Sequence, residues 1–176
     1  MRACIACTLQ VRLISCHRGC TPFLCKPGML LSQTTGEEYV KELTTYLTFD
    51  GNCRDAMEFY KKCLDAQLYL MPFSEAPGEV PERAKNRIIH AKLTKGAAVL
   101  MASDTMPGMP FQQGNNFSVS VSCESLQEIE RLFTAIGVNG KVTMQLQDTF
   151  WGARFGMLTD QFGIHWMFNF EHPEKS

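Results

Sequence analysis

The chain has 176 residues, 45% of them hydrophobic, with 17 basic and 18 acidic residues and a formal net charge of −1. That length supports one domain, or one domain with an appendage, and a core that hides about 70% of the unfolded surface. Balanced charge offers no basic field for a phosphate backbone, and no apolar run approaches the ~20 residues of a membrane-spanning helix, so nucleic acid and membrane are poor partners.

Residues 1–43 fit no element. Five of the eight cysteines crowd there: Cys4, Cys7, Cys16, Cys20 and Cys25. With His17 they could supply zinc donors, but their spacing matches no standard finger or ribbon. Arg12 interrupts the only apolar stretch, which argues against a secretion signal; basic residues without acids leave a transit peptide open. The simpler expectation is a poorly ordered extension, with Met29 as a plausible internal start. Cys53, Cys63 and Cys123 are dispersed through the rest and read as free thiols in a reducing, cytoplasmic compartment.

The folded domain is expected over 44–171, with 172–176 a frayed tail. Thr45–Phe49 reads as a strand, with Leu47 and Phe49 on one face and Tyr46 and Thr48 on the other. Gly51-Asn52 breaks it, and Asn52 is placed to cap a helix from about Cys53 to Leu64, where Ala56, Phe59, Tyr60, Cys63 and Leu64 form an apolar stripe. Gln67–Phe73 reads as a strand, and a polar loop over 74–85 is long enough to cover a site. Arg87–Thr94 and Ala97–Ser103 make a hairpin about Lys95-Gly96, followed by a Pro- and Gly-bearing loop over 104–114.

The order then recurs. Asn116–Ser122 reads as a strand with Phe117, Val119 and Val121 inward. Ser125-Leu-Gln-Glu128 is a capping box opening a helix with stripe Ile129, Leu132, Phe133 and Ile136. Lys141–Gln147, Arg154–Thr159 and Gly163–Phe170 supply three more strands. In the last, Ile164, Trp166, Phe168 and Phe170 alternate with His165, Met167 and Asn169, so one face is apolar and the other mixed.

Strand–helix–three strands therefore occurs twice. The predicted fold is α+β: two βαβββ modules forming an open curved eight-stranded sheet, with helices over its apolar face. Parity places Tyr46, Thr48, His90, Asn116, Ser118, Ser120, His165, Met167 and Asn169 on the remaining face, where a shared cleft is expected.

Three motifs in order carry a family resemblance: Tyr46-Leu-Thr-Phe-Asp-Gly-Asn-Cys53, Leu100-Met-Ala-Ser-Asp104 and Asp148-Thr-Phe-Trp-Gly-Ala-Arg-Phe-Gly156. The ending Thr159-Asp-Gln-Phe-Gly-Ile-His-Trp-Met167 agrees with them. The chain from about Thr44 to Glu171 resembles the PhnB-like branch of the vicinal-oxygen-chelate superfamily, which includes glyoxalase I, extradiol dioxygenases and antibiotic-resistance proteins. The resemblance implies a glyoxalase-like fold and a homodimer. In the superfamily's enzymes, four strands each give one His, Gln or Glu to a divalent metal. The matching places here hold residues Thr44 to Tyr46, Ser103, Asn116 and Met167. Hydroxyl, amide and thioether donors are weak partners for such metals, so no metal or other cofactor is expected at those places.

His90 and His165 remain as candidate bases or ligands, but no acid alternates onto their face to orient either ring. Trp151 is a packing wedge or a stacking platform, and Arg154 either clamps a ligand's anion or pairs with Asp148 or Asp160. The expected function is metal-free binding of a small, partly apolar molecule in the cleft. The alternative is a metal-dependent enzyme of the glyoxalase or dioxygenase kind, with His90 or His165 as a ligand. A demethylubiquinone methyltransferase label attached to relatives finds no Gly-rich strand-to-helix loop for a nucleotide-like cofactor.

Overall fold

A computed structural model describes residues 42–173. The cysteine-rich extension, and the zinc and transit-peptide readings that fall on it, lie outside the described residues apart from its last two positions.

The first module runs β1 (Thr45–Phe49), α1 (Cys53–Leu64), β2 (Gln67–Pro72), β3 (Ile88–Lys95) and β4 (Ala98–Asp104). Its sheet has the order β1-β4-β3-β2, with β1 parallel to β4 and the other neighbours antiparallel. The second module repeats the plan with β5 (Val119–Ser122), α2 (Leu126–Ile136), β6 (Lys141–Asp148), β7 (Ala153–Thr159) and β8 (His165–Glu171). Its order is β5-β8-β7-β6, with β5 parallel to β8. The doubled βαβββ plan and its eight strands are those the sequence pattern predicts, arranged as two open four-stranded sheets.

Each helix lies on one face of its own sheet, because its stripe and that face are the apolar surfaces available to bury. Ala56, Met57 and Tyr60 of α1 are fully buried, as are Ala91 and Ala102 on the strands beneath. In the second module Ile129, Leu132, Phe133 and Ile136 meet Leu158, Trp166 and Phe168. Gly156 is required there: a Cβ on it would lie 2.9 Å from the Phe133 ring and from Leu146. The modules share one core. Tyr60 of α1 packs edge-on to Trp166 of β8, with ring centroids 5.2 Å apart. Such a pair contributes about 0.5–1.5 kcal/mol beyond its buried area.

Two buried carboxylates fasten the ends of strands. Asp104, at the end of β4, accepts hydrogen bonds from the backbone amides of Gly51 (2.8 Å), Cys53 (3.0 Å) and Ile88 (2.8 Å). It thereby caps α1, correcting the expectation for Asn52, whose side chain makes no capping bond. An acid there also opposes the positive end of the helix dipole. Asp160, at the turn between β7 and β8, accepts from the Tyr60 hydroxyl (2.6 Å), the Trp166 indole (2.8 Å) and the amides of Phe162 and Ile164. One side chain therefore closes a turn and joins two modules. The capping box on α2 forms as expected, with Ser125 Oγ accepting from the Glu128 amide and Glu128 accepting from the Glu124 amide.

The second module begins later than alternation suggests. Asn116, Phe117 and Ser118 precede β5 and belong to no strand, and Phe117 is 42% exposed rather than inward. The parallel ladder with β8 starts at Val119 opposite Trp166 and does not reach back to Ser118.

Cys53 is fully buried, and burial, followed by the nearby Asp104 charge, pushes its thiol up to about 12. A thiol held protonated and covered does not react, because the thiolate is the nucleophile. Pulsed alkylation at pH 8 with peptide-resolved mass spectrometry is expected to modify Cys53 only as fast as the domain unfolds. Rapid labelling of Cys53 in folded protein would contradict this packing.

Candidate functional site

Every strand presents its alternate side chains to a face that no helix among the described residues covers, and these two helix-free faces hold most of the predicted residues. On the first sheet, Tyr46 stands beside Met101, Met101 beside Lys92, and Lys92 beside Tyr69, forming one row across four strands. The next row holds Thr48 beside Ser103 and His90 beside Met71. Tyr46 and His90 face each other with ring centroids 6.2 Å apart.

On the second sheet, Ser120, Met167, Met157 and Met144 form a row, with Asn169 and Phe155 in the next. His165 sits beside Thr159, whose hydroxyl lies 2.9 Å from its Nδ1. That contact fixes the ring and leaves Nε2 as its free edge, consistent with an oriented polar group that no carboxylate activates.

The remaining candidates lie elsewhere. Asn116 is exposed and Ser118 half-buried, both on the loop before β5. Trp151 is 56% exposed and Phe150 98% exposed at the β6–β7 turn, where their rings stack edge-on at 4.8 Å. Trp151 also meets Phe155 of the second helix-free face edge-on, with ring centroids 6.1 Å apart, while more than half of its surface stays open. Arg154 pairs with Asp148 at 3.4 Å, while its buried Nε has no partner. Asp160 is saturated by its four donors and is not available to it. The exposed Asp148 carboxyl sits below its usual range because His172 hydrogen-bonds to it and Arg154 stands beside it. Asp104 cannot swing into a site: all of its bonds are to backbone amides on the helix side.

No hydrogen bond or ring contact among the described residues links Tyr46, Thr48 or His90 to His165 or Met167. A cavity of about 720 Å³ does draw on both modules, with Leu93, Leu100, Val119, Val121, Leu132 and Trp166 among its walls. Of the predicted site residues it includes Ser120 alone. Three of the four charged side chains that line it are already engaged, Glu124 being the exception. Arg131 donates to the Cys63 carbonyl, Glu128 accepts from the Glu124 amide, and Lys95 pairs with Asp65.

The superfamily's metal places carry weak donors here. Tyr46, Ser103 and Met167 stand on the helix-free faces and Asn116 on a loop, giving phenol, hydroxyl, thioether and amide. Among the described residues no three His, Cys, Asp or Glu side chains gather to hold an ion. These residues do not fit a divalent-metal centre of the superfamily kind.

Comparisons with known proteins agree with this architecture. The family model described as 3-demethylubiquinone-9 3-methyltransferase matches residues 41–168. Protein YjdN of Escherichia coli is 36% identical over 139 residues, covering 72% of this chain and 93% of YjdN. The crystal structure of protein PA1353 from Pseudomonas aeruginosa is 42% identical, with a TM-score of 0.70, covering 75% of this chain and 98% of that one. A Bacillus cereus protein described as a putative 3-demethylubiquinone-9 3-methyltransferase, PhnB protein, is 27% identical with a TM-score of 0.61, over 74% of this chain and 99% of its own. A glyoxalase/bleomycin resistance protein/dioxygenase family enzyme from Burkholderia phytofirmans shares the fold, with 12% identity and a TM-score of 0.53 over 73% and 97% of the two chains.

Proposed function

The chain belongs to the PhnB-like family described as 3-demethylubiquinone-9 3-methyltransferase, a family of the glyoxalase fold, and from that premise we propose that it binds a small, partly apolar molecule on its helix-free faces, without a resident metal. The cleft is completed by a second copy of the chain, which sets the first sheet of one protomer opposite the second sheet of the other.

The observation that carries this reading is what those faces leave uncovered. Tyr46 and Tyr69 are about half exposed, and Met144 is 38% exposed in a row with Met157 and Met167. Aromatic and thioether groups in one row are costly to leave in water and adapt well to apolar ligands. Two such faces, one per module, suit a cleft whose walls come from two chains, since a two-fold axis builds each cleft twice.

Methyl transfer of the kind named in the family's description needs a donor cofactor. Nucleotide-like cofactors are commonly held where a strand enters a helix through free amides. Here the loop before α1 is Asp50-Gly51-Asn52, and Asp104 takes the amides of Gly51 and Cys53. Before α2, the Glu124 and Glu128 amides are likewise taken. At both helix starts the protein's own side chains therefore compete for the amides that such a cofactor would use.

The test is a thermal-shift titration of the full chain in chelator with 1-naphthaleneacetamide, an uncharged flat probe. Stabilisation of about 2.7 kcal/mol at one hundred times the dissociation constant is expected, and loss of most of that shift in Tyr46→Ala. The opposing result is no shift with the probe in chelator, together with stoichiometric metal that is retained on purification and lost on His165→Ala. That outcome would favour the metal-dependent enzyme.

A further inference from the structure

We infer that the helix-free face of the first sheet reads the carboxylate of an aromatic or similarly flat acid, with Lys92 as the residue that binds the anion. This rests on the small-molecule reading above and names the ligand class for that site.

The argument begins with the row Tyr69, Lys92, Met101, Tyr46. Three inter-strand steps of ~4.8 Å make it ~14 Å long, enough for a two-ring molecule lying flat. Lys92 is half-buried between its register neighbours Tyr69 and Met101, and a lysine so placed lays its apolar stem along the face and keeps its ammonium group at the edge of the apolar surface. Of the lysines on the module's strands and loops, Lys85 pairs with Glu82 and Lys95 with Asp65, while Lys61 and Lys62 are exposed to water on α1. Among the described residues Lys92 enters no ion pair and no hydrogen bond.

Nor can its own sheet supply a partner. Asp104 is the one acid within β1 to β4, and it is bound to three amides on the helix side. When a second copy closes over this face, a half-buried ammonium group without a counter-charge would cost several kcal/mol. A ligand anion removes that cost. One lysine offers one positive charge, which a carboxylate matches and a doubly charged phosphate would exceed. The ligand's body then extends over Met101 toward Tyr46 and His90, whose rings stand 6.2 Å apart.

Calorimetric titration of the full chain with 1-naphthaleneacetic acid and 1-naphthaleneacetamide separates charge from shape, because the two differ only in the anionic group. The acid is expected to bind at least about tenfold more tightly than the amide, the scale of one charge-assisted hydrogen bond. Lys92→Met should erase that preference while leaving amide binding within about threefold, and Lys92→Arg should retain it. Circular dichroism melting of each variant checks that the fold is intact. Equal binding of acid and amide by the unaltered protein overturns the inference and leaves the cleft reading standing. A preference for the acid that survives Lys92→Met overturns it too. If neither probe binds, the cleft reading fails and this inference fails with it.

Discussion

Replacing Asp160 by alanine is expected to destabilise the domain by about 4 kcal/mol, a large part of the 5–15 kcal/mol that holds a typical domain folded. The carboxylate is 4% exposed and accepts four hydrogen bonds, from Tyr60, Trp166, Phe162 and Ile164. Alanine leaves four donors without an acceptor, each worth about 1–3 kcal/mol if no water replaces the carboxylate; partial hydration keeps the total below the sum. Burial first, and then the Asp160 charge beside it, push the Tyr60 phenol far above its ordinary range, so it remains a donor at any pH the fold survives. Tyr60→Phe removes one donor and leaves Asp160 three partners, so it should cost less, about 1.5–3 kcal/mol. For a chain of this size, about 4 kcal/mol lowers the melting temperature by roughly 8–16 °C. A loss under 2 °C in Asp160→Ala would show that the clamp is not what joins the modules.

The second large effect is at Asp104. Asp104→Ala is expected to cost about 3 kcal/mol, because the amides of Gly51, Cys53 and Ile88 lose their acceptor in a site that is 5% exposed. Asp104→Asn should recover little, since one end of the amide presents N–H to an N–H. The location of the damage is specific. Hydrogen exchange should accelerate first at Gly51, Cys53 and Ile88, and the start of α1 should fray ahead of α2, whose cap is independent. Uniform acceleration across both modules would contradict a local clamp.

The fold was legible in the sequence because its signals are short-range. Alternation of Ile164, Trp166 and Phe168 fixes one face of β8, and the stripes on α1 and α2 recur at helical spacing. The clamps were not legible. Tyr60 and Asp160 are one hundred residues apart, and Asp104 reaches back 51 residues to cap α1. Asn52 has the right side chain in the right place, but a buried acid from another strand got there first. Phe117 and Ser118 continue the alternation of β5, yet the ladder with β8 begins only at Val119, a limit that alternation does not reveal.

The candidate site divides along the same line. Parity put Tyr46, Thr48, His90, Ser120, His165 and Met167 on one cleft face, whereas the register divides them between the helix-free faces of two sheets, Tyr46, Thr48 and His90 on the first and Ser120, His165 and Met167 on the second. Lys92 alternates onto the same face as His90, but a lysine in a strand carries no sequence signal that distinguishes an anion-binding role from a solvated one. In the proposed dimer the two faces meet in one hollow through contacts between chains, which alternation within a chain cannot encode.

Mixing two impaired chains tests the central claim most directly. If each cleft joins the first sheet of one copy to the second sheet of another, Tyr46→Ala and Met167→Ala homodimers each lose 1-naphthaleneacetamide binding at both clefts. Refolded together in equal amounts, they form mixed dimers in which one cleft carries both changes and the other carries neither, so about a quarter of all sites should bind normally. Binding by the mixture no better than by either variant alone would mean that the two faces never meet across chains.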